Sequence, residues 1–437
     1  MKDERKNMKV KIFTLGCKVN QFESVAMINM LEQVGYTAVS ENESSDVTIV
    51  NSCAVTAASE QKAVKLLNRI RREDPDTVIL LTGCMAQTEN EDSVKLKEAD
   101  IVLGNKRRND IVPVLNDYFE SRNKLRSVEQ FEKHDDYEDL AVYDFSERTR
   151  AFLKIEDGCD RFCSYCIIPY ARGRVRSSDL EYIKKEVQGF AANGYKEVVL
   201  VGINLSCFGK DNGLSFADAV KTACEAADVR IRLGSLEPES MDIDTLRTFA
   251  RYENFCPQFH LSLQSGCDST LKRMNRHYTT AEYEKIVNDI RTVFENPSVT
   301  TDVMVGFAGE TEEEFRISAE FVEKTGFSRT HIFPYSRRPG TAADRAGGQV
   351  PNDVKKKRAA AMAQYAERAR DAFLQTQKGR TEKVLIETRN KNGMYEGYTP
   401  NYTLVYLKAD ESFVNKIVDV RLTEVSGDHM IGELEMN

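Results

Sequence analysis

The stretch "GCDRFCSYC" at residues 158–166 sets Cys159, Cys163 and Cys166 at C-x₃-C-x₂-C spacing. A closed structural zinc site takes four ligands, and the nearest upstream histidine is His134, in an acidic run. The triplet lacks a fourth partner, so zinc or a disulfide stands as the alternative. Thiolates at this density are the usual holders of iron-sulfur clusters, and a cube held by three of them leaves one iron open to another ligand. An open iron implies chemistry.

Three further cysteines are distant in sequence and alike in context: "FTLGC" ends at Cys17, "TIVNSC" at Cys53 and "ILLTGC" at Cys84. Each follows an apolar run that reads as a strand. In an open parallel α/β sheet the carboxyl ends of the strands share one edge, where ligands bind, so three such thiols can converge. The competing account is that each is a small buried hydrophobe, since free cysteine is among the most buried residue types. The matched placements predict a second cluster on Cys17, Cys53 and Cys84. Cys207, Cys224, Cys256 and Cys267 show no comparable spacing and are expected to be buried or incidental.

Elements must bring these groups together. Strand and helix patterns alternate from "KVKIFTLG" to "IVPVLNDYFESR", which predicts a parallel sheet with covering helices over residues 8–122. Residues 123–148 lack an apolar period and read as a polar linker. Over 149–376, six apolar runs recur with helical stretches between them: "AFLKIED", "KEVVLVGI", "VRIRLGS", "QFHLSLQS", "TTDVMVGF" and "RTHIFPYS". Six β/α units make a partial barrel, and the cysteine triplet follows its first strand, on the rim where such barrels carry active sites. Residues 377–437 alternate β-branched and aromatic positions with glycine punctuation, which predicts a small closed β-barrel. The expected fold class is thus α/β multidomain.

The 437 residues are 41% hydrophobic and 30% charged, and the formal net charge is −8. Mean hydropathy is −0.47. No secretory leader and no run long enough to span a membrane is read, so a cytoplasmic location is expected, in which clustered thiols stay reduced. The acidic balance argues against a bulk electrostatic nucleic-acid binder. Basic runs at 69–73, 105–109, 170–177, 335–340 and 355–358 are each expected to be solvated faces.

The stretch "CDRFCSYCIIPYARGRVRS" resembles the radical S-adenosylmethionine (SAM) signature, with Tyr165 as its aromatic. With both cysteine sets, "FTLGCKVNQFES", "HLSLQSGCDSTLKRMNRHYT", "DVMVGFAGETEEEF" and "FPYSRRPGTAA", nearly the whole chain is similar to the radical SAM methylthiotransferases, and its tail to their RNA-binding TRAM domain. Ala308 departs from the family pattern, where proline is expected in "GFPGE". Within the family, "CIIPYARGRVRS", "LKRMNRHYT" and "EGYTPNYTLVYL" most resemble the type that methylthiolates C2 of N6-threonylcarbamoyladenosine beside the tRNA anticodon.

The resemblance implies two [4Fe-4S] clusters and two SAM molecules per turnover. The Cys159, Cys163 and Cys166 cluster would cleave SAM to a 5′-deoxyadenosyl radical, while a sulfide on the other cluster is methylated and transferred. It places SAM against Tyr165, Gly202, Ser235, Glu237 and, less directly, Gln264. The substrate would be a tRNA anticodon stem-loop, with Arg172, Arg174 and Arg176 as phosphate or substrate contacts and the tail tyrosines as stacking platforms. The tail carries 8 Lys plus Arg against 10 Asp plus Glu, so its binding cannot rest on net charge. An electron donor and a sulfur source, neither identified by the sequence, are also required. Sister enzymes acting on isopentenyladenosine in tRNA or on an aspartate of a ribosomal protein share this architecture. From another class, a non-catalytic iron-sulfur protein that binds RNA and senses redox state would use the same ligands.

Overall fold

The computed structural model describes residues 7–140, 142 and 149–435. The four expected N-terminal strands are Lys9–Thr14, Val47–Ser52, Val78–Gly83 and Ile101–Leu103. Val47–Ser52 and Val78–Gly83 are buried throughout, as strands covered on both faces must be. Two short edge strands, Thr37–Ala38 and Leu125–Ser127, complete a parallel sheet of six. Thr37–Ala38 pairs outside Lys9–Thr14, while the later strands add in chain order on its other side. The winding therefore reverses between Lys9–Thr14 and Val47–Ser52, and that switch point is where such sheets bind ligands.

The segment 123–148 departs from its reading as a polar linker. Leu125–Ser127 pairs with Ile101–Leu103, Leu140 and Val142 are buried in the main core, and Tyr137 donates to the Lys154 carbonyl at 2.6 Å. Arg126, Asp135 and Glu138 are paired with the N-terminal domain, while Glu132, Lys133, His134 and Asp136 face solvent as expected. Residues 141 and 143–148 lie outside the described residues.

Next come the six β/α units of the partial barrel, in seven strand segments. Arg150–Lys154, Glu197–Val201 and Arg230–Leu233 form one sheet; Ser235–Leu236, Gln258–Leu261, Ser298–Val305 and Arg329–Pro334 form another. The third unit runs from one to the other across Gly234. Helices Phe216–Ala226, Thr280–Val293 and Glu312–Thr325 each begin with a capping box, Ser215 with Asp218, Thr279 with Glu282 and Thr311 with Glu314. The long helix Asn352–Gln377 packs on the edge strand Arg329–Pro334. Five further strands, Thr381–Arg389, Tyr395–Tyr398, Leu404–Leu407, Ile417–Ser426 and His429–Leu434, close into a barrel around Val384, Val405, Val420 and Leu422.

The small barrel plugs the floor of the large one through its 399–403 turn. Arg232 donates to the Pro400 carbonyl at 2.8 Å and Arg150 to the Tyr402 hydroxyl at 2.7 Å. Tyr398 and Tyr402 stack at 4.5 Å beneath these two guanidinium groups. Two of the tyrosines expected to stack on RNA bases, Tyr398 and Tyr402, are therefore committed to the domain interface.

The basic runs also differ from their reading as solvated faces. Arg108, Arg172, Arg176, Arg338, Lys355 and Arg358 are all buried, and Arg71 pairs with Asp100. Arg338 pairs with Glu60 and Arg358 with Glu310, carboxylates that lie far from them along the chain.

Candidate active site

Cys159, Cys163 and Cys166 lie in the loop between strand Glu156–Asp157 and helix Ile168–Arg172. The loop is fixed from outside: Ser164 N donates to the Met274 carbonyl at 3.0 Å, and Asn275 Nδ2 to the Phe162 carbonyl at 3.1 Å. Phe162 takes a left-handed φ of 48°, a conformation that needs such support in a residue other than glycine. Cys166 interacts electrostatically with both Cys159 and Cys163, so the three thiols form one group. Burial pushes the Cys159 thiol up and that of Cys166 up to about 12. Positive charge from bound iron is what would turn such thiols into thiolates. Two side chains point donors at the sulfurs: Arg276 Nη1 at Cys163, 3.4 Å, and Asn204 Nδ2 at Cys159, 3.5 Å.

The other three thiols also converge. Cys17 caps helix Lys18–Gln33, Cys53 follows strand Val47–Ser52, and Cys84 opens the short helix Cys84–Thr88. Cys17 and Cys53 each interact electrostatically with Cys84 and with one another. Burial pushes the Cys53 thiol up to about 11. The turn into Cys84 needs glycine: Gly83 has a φ of 91°, and a Cβ there would overlap the Ser52 backbone. Among the described residues no three Cys, His, Asp or Glu side chains converge as on a single ion. Three thiolates that each hold a different iron of a cube stand further apart than the ligands of one ion, and both thiol groups fit such a cluster.

Between the groups lies a cavity of about 220 Å³. Val55 and Thr56, just beyond Cys53, form one side; Tyr165, Cys166, Ile167 and Ile168 form another. The barrel contributes Gln264, Asp302, Met304 and Phe333. Val55 is 53% exposed and Phe333 47%, unusual for large apolar side chains and consistent with walls that await a flat apolar ligand.

Tyr165 and Gln264 thus meet in one cavity, and Gln264 carries a left-handed φ of 62° between backbone bonds to Asp302 and Met304. Glu237 is held by Arg276 and by Ser206, which accepts from its backbone N–H at 2.8 Å. Ser235 is exposed at its strand end. Gly202 packs on the buried Glu156; a Cβ there would stand 2.5 Å from Glu156 Oε2. Glu156 Oε1 and Asn204 Oδ1 are buried acceptors without a partner among the described residues, and burial raises the Glu156 carboxyl well above its ordinary value. Orphaned acceptors beside a glycine and an open rim fit a ligand with an ammonium group, as SAM has.

The three arginines expected to meet RNA separate. Arg172 is fully buried and pairs with Glu23 and Asp157, with its Nε donating to the Cys84 sulfur at 3.4 Å. It cannot reach a phosphate. Arg176 is buried as well, bonded to the Arg172 and Arg174 carbonyls. Only Arg174 is open to solvent, lying 4.8 Å over the Phe162 ring.

Comparison with known proteins agrees with this geometry. Residues 9–104 match the Uncharacterized protein family UPF0004, residues 153–322 the Radical SAM superfamily and residues 375–434 the TRAM domain. The threonylcarbamoyladenosine tRNA methylthiotransferase MtaB of Thermotoga maritima is 40% identical over 398 residues, 90% of each chain. The chain belongs to the radical SAM methylthiotransferase family, MtaB type. MtaB of Bacillus subtilis is 35% identical over 97% of this methylthiotransferase and 96% of its own length. A tRNA-2-methylthio-N(6)-dimethylallyladenosine synthase of Natranaerobius thermophilus is 32% identical over 96% and 95%. The fold is also that of the radical SAM methyltransferase TsrM from Kitasatospora setae, with a TM-score of 0.56, 13% identity and 77% of each chain covered.

Membership implies that this methylthiotransferase uses a [4Fe-4S] cluster and SAM. No helix among the described residues is long and apolar enough to cross a membrane. The residues missed by sequence reasoning are Asn204, Asn275 and Arg276 at one thiol group and Asn20, Glu23 and Arg108 at the other. The stretch "LKRMNRHYT" was a visible family block, yet nothing in it said that Arg276 would reach Cys163.

Proposed function

We propose that the protein transfers a methylthio group to C2 of N6-threonylcarbamoyladenosine, beside the anticodon of tRNA, in the cytoplasm. The observation that carries this reading is the cavity whose walls include Cys166 of one thiol group and Val55 and Thr56, just beyond Cys53 of the other. We assign one cluster to Cys159, Cys163 and Cys166 and an auxiliary one to Cys17, Cys53 and Cys84, with the domains at 8–122, 149–376 and 377–437. When bound, the clusters and two SAM molecules supply the reductive cleavage and the sulfur chemistry.

The chain's own side chains position and seclude. Tyr165 and Gln264 flank the SAM adenine, while Gly202 leaves room for the methionyl end beside Asn204 and Glu156. Ser235 and Glu237 sit toward the ribose. Val55, Met304 and Phe333 clasp the target base and keep water from it. Arg174 is the remaining cation of its stretch for the RNA backbone. The electron donor and the sulfur source are separate molecules.

The test is anaerobic. The reconstituted protein receives SAM, reductant and tRNA bearing threonylcarbamoyladenosine, and the nucleosides are analysed by mass spectrometry. A methylthio product is expected, absent when Cys159, Cys163 and Cys166 are all alanine. Product on isopentenyladenosine tRNA alone would move the substrate to the sister reaction. No SAM cleavage with iron fully loaded would return the protein to the binding class.

A further inference from the structure

The barrel lumen contains a polar layer that the reading above leaves unused. Side chains alternate along a strand, so Arg329, His331 and Phe333 share one face of the edge strand. Register sets Arg329 beside Thr300, His331 beside Asp302 and Phe333 beside Met304. Phe333 and Met304 line the cavity at the cluster end, and Asp302 marks its lower limit. His260 joins this level: its Nε2 is 3.3 Å from the Asp302 carboxylate, its Nδ1 2.9 Å from Thr300 Oγ1, and its ring 5.8 Å from that of His331.

Lys18 enters the same space from the N-terminal domain, one residue after Cys17. It is solvent-accessible yet surrounded, and its ammonium interacts electrostatically with Arg150, Arg232 and Glu197 on the barrel floor and with His331 on the wall. The side chains of Lys18 and Arg329 make no hydrogen bond or ion pair among the described residues. Two exposed cations without a carboxylate partner among the described residues, set beside histidines and one carboxylate, describe a receptor for a small anion that also carries hydrogen-bond donors.

We propose that this layer binds the anionic N6 arm of the target adenosine, with Lys18 and Arg329 taking its carboxylate and Asp302 accepting from its hydroxyl or urea N–H. The proposal rests on threonylcarbamoyladenosine being the substrate. The base occupies the apolar layer of Val55, Met304 and Phe333, and the arm descends one layer. Two residues along a strand span about 6.6 Å, which brings the arm to the level of Asp302 and His331; Arg329 starts a further two residues down and reaches up to it with its long side chain. A neutral isopentenyl arm leaves both cations unpaired, so the same layer discriminates against the sister substrate.

The experiment compares kcat/KM of the reconstituted full-length enzyme on two tRNAs, one with threonylcarbamoyladenosine and one with its carboxylate capped as the methyl ester. Wild type should prefer the free acid by about 100-fold. Lys18→Gln and Arg329→Gln should each remove most of that preference by losing activity on the acid, and Lys18→Arg should restore it. A ratio is read, so partial loss of iron in a variant, which lowers both rates alike, does not imitate the result. Equal losses on the two tRNAs, or an unchanged preference in both glutamine variants, would overturn the assignment. Wild type that ignores threonylcarbamoyladenosine but modifies isopentenyladenosine would overturn the substrate reading and this inference with it.

Discussion

Arg172 donates through Nε to the Cys84 sulfur at 3.4 Å, although it belongs to the helix that follows Cys166 in the other domain. Its remaining donors pair with Glu23 and Asp157, and Nη2 also reaches Asn20 Oδ1, the atom that accepts from the Cys17 thiol at 3.2 Å. Lys154 and Arg108 complete the buried network around Glu23. One guanidinium therefore touches two of the three auxiliary thiols, directly or through one side chain, and joins the two domains.

Removing that group while leaving its partners should be costly. Arg172→Met removes one cation from the buried Glu23 and Asp157 carboxylates, which keep Arg108, Lys154 and Arg176, and is expected to lose about 1–3 kcal/mol in urea unfolding. Glu23→Met added to it should recover part of the loss, because the pair is replaced by apolar volume. Additive losses in the double variant would show that the two side chains do not act as a pair.

Gly202→Ala tests the rim beside Cys159. The added Cβ pushes on Glu156 Oε2, which accepts the Asn204 backbone N–H at 2.7 Å, and Asn204 in turn faces the Cys159 sulfur. SAM binding should weaken by about tenfold or more, equivalent to about 1.4 kcal/mol, as read by equilibrium dialysis of labelled SAM. Unchanged binding would place SAM away from this strand end.

Tyr402 tests the plug between the barrels. Tyr402→Phe loses only the bond from Arg150 and should cost about 1 kcal/mol. Tyr402→Ala also loses the stack on Tyr398 and two cation contacts, for a total of about 2–4 kcal/mol, and should expose the junction after Gln377 to limited proteolysis. Weakened tRNA binding with the junction still protected would instead return Tyr402 to the RNA.

Glu314 sets an acid limit on stability. Hydrogen bonds from Arg273 first, and then from Ser269 and the Thr311 N–H, hold its carboxyl down to about 2 against the opposing effect of burial. The folded value lies below the unfolded one, so the stabilisation is complete above about pH 4.5 and disappears as pH falls toward 2. The stability difference between wild type and Glu314→Gln should be constant from neutrality to about pH 5 and shrink below it. A difference that persists undiminished at pH 2 would mean that the charge of Glu314 plays no part.

The sequence by itself determined the layers and the chemistry. Apolar runs at regular intervals point to six barrel strands, since parallel strands covered on both faces use such runs, and only the edge strand Arg329–Pro334 is left largely exposed. Cysteines placed just past strand ends are carried to a common edge by any parallel sheet, so the two thiol groups were legible from spacing and strand ends alone. Only the tertiary structure decided what the charged and polar residues do. Arg172, Arg176 and Arg358 read as solvent-facing because a run of cations carries no record of the carboxylate that will pack on it from a distant element. The same is true of the segment around Leu125 and of Tyr402, whose partners lie in other domains. Apolar periodicity is a local property that burial turns directly into fold; the pairing of a charge is a long-range one, fixed only when two remote elements meet.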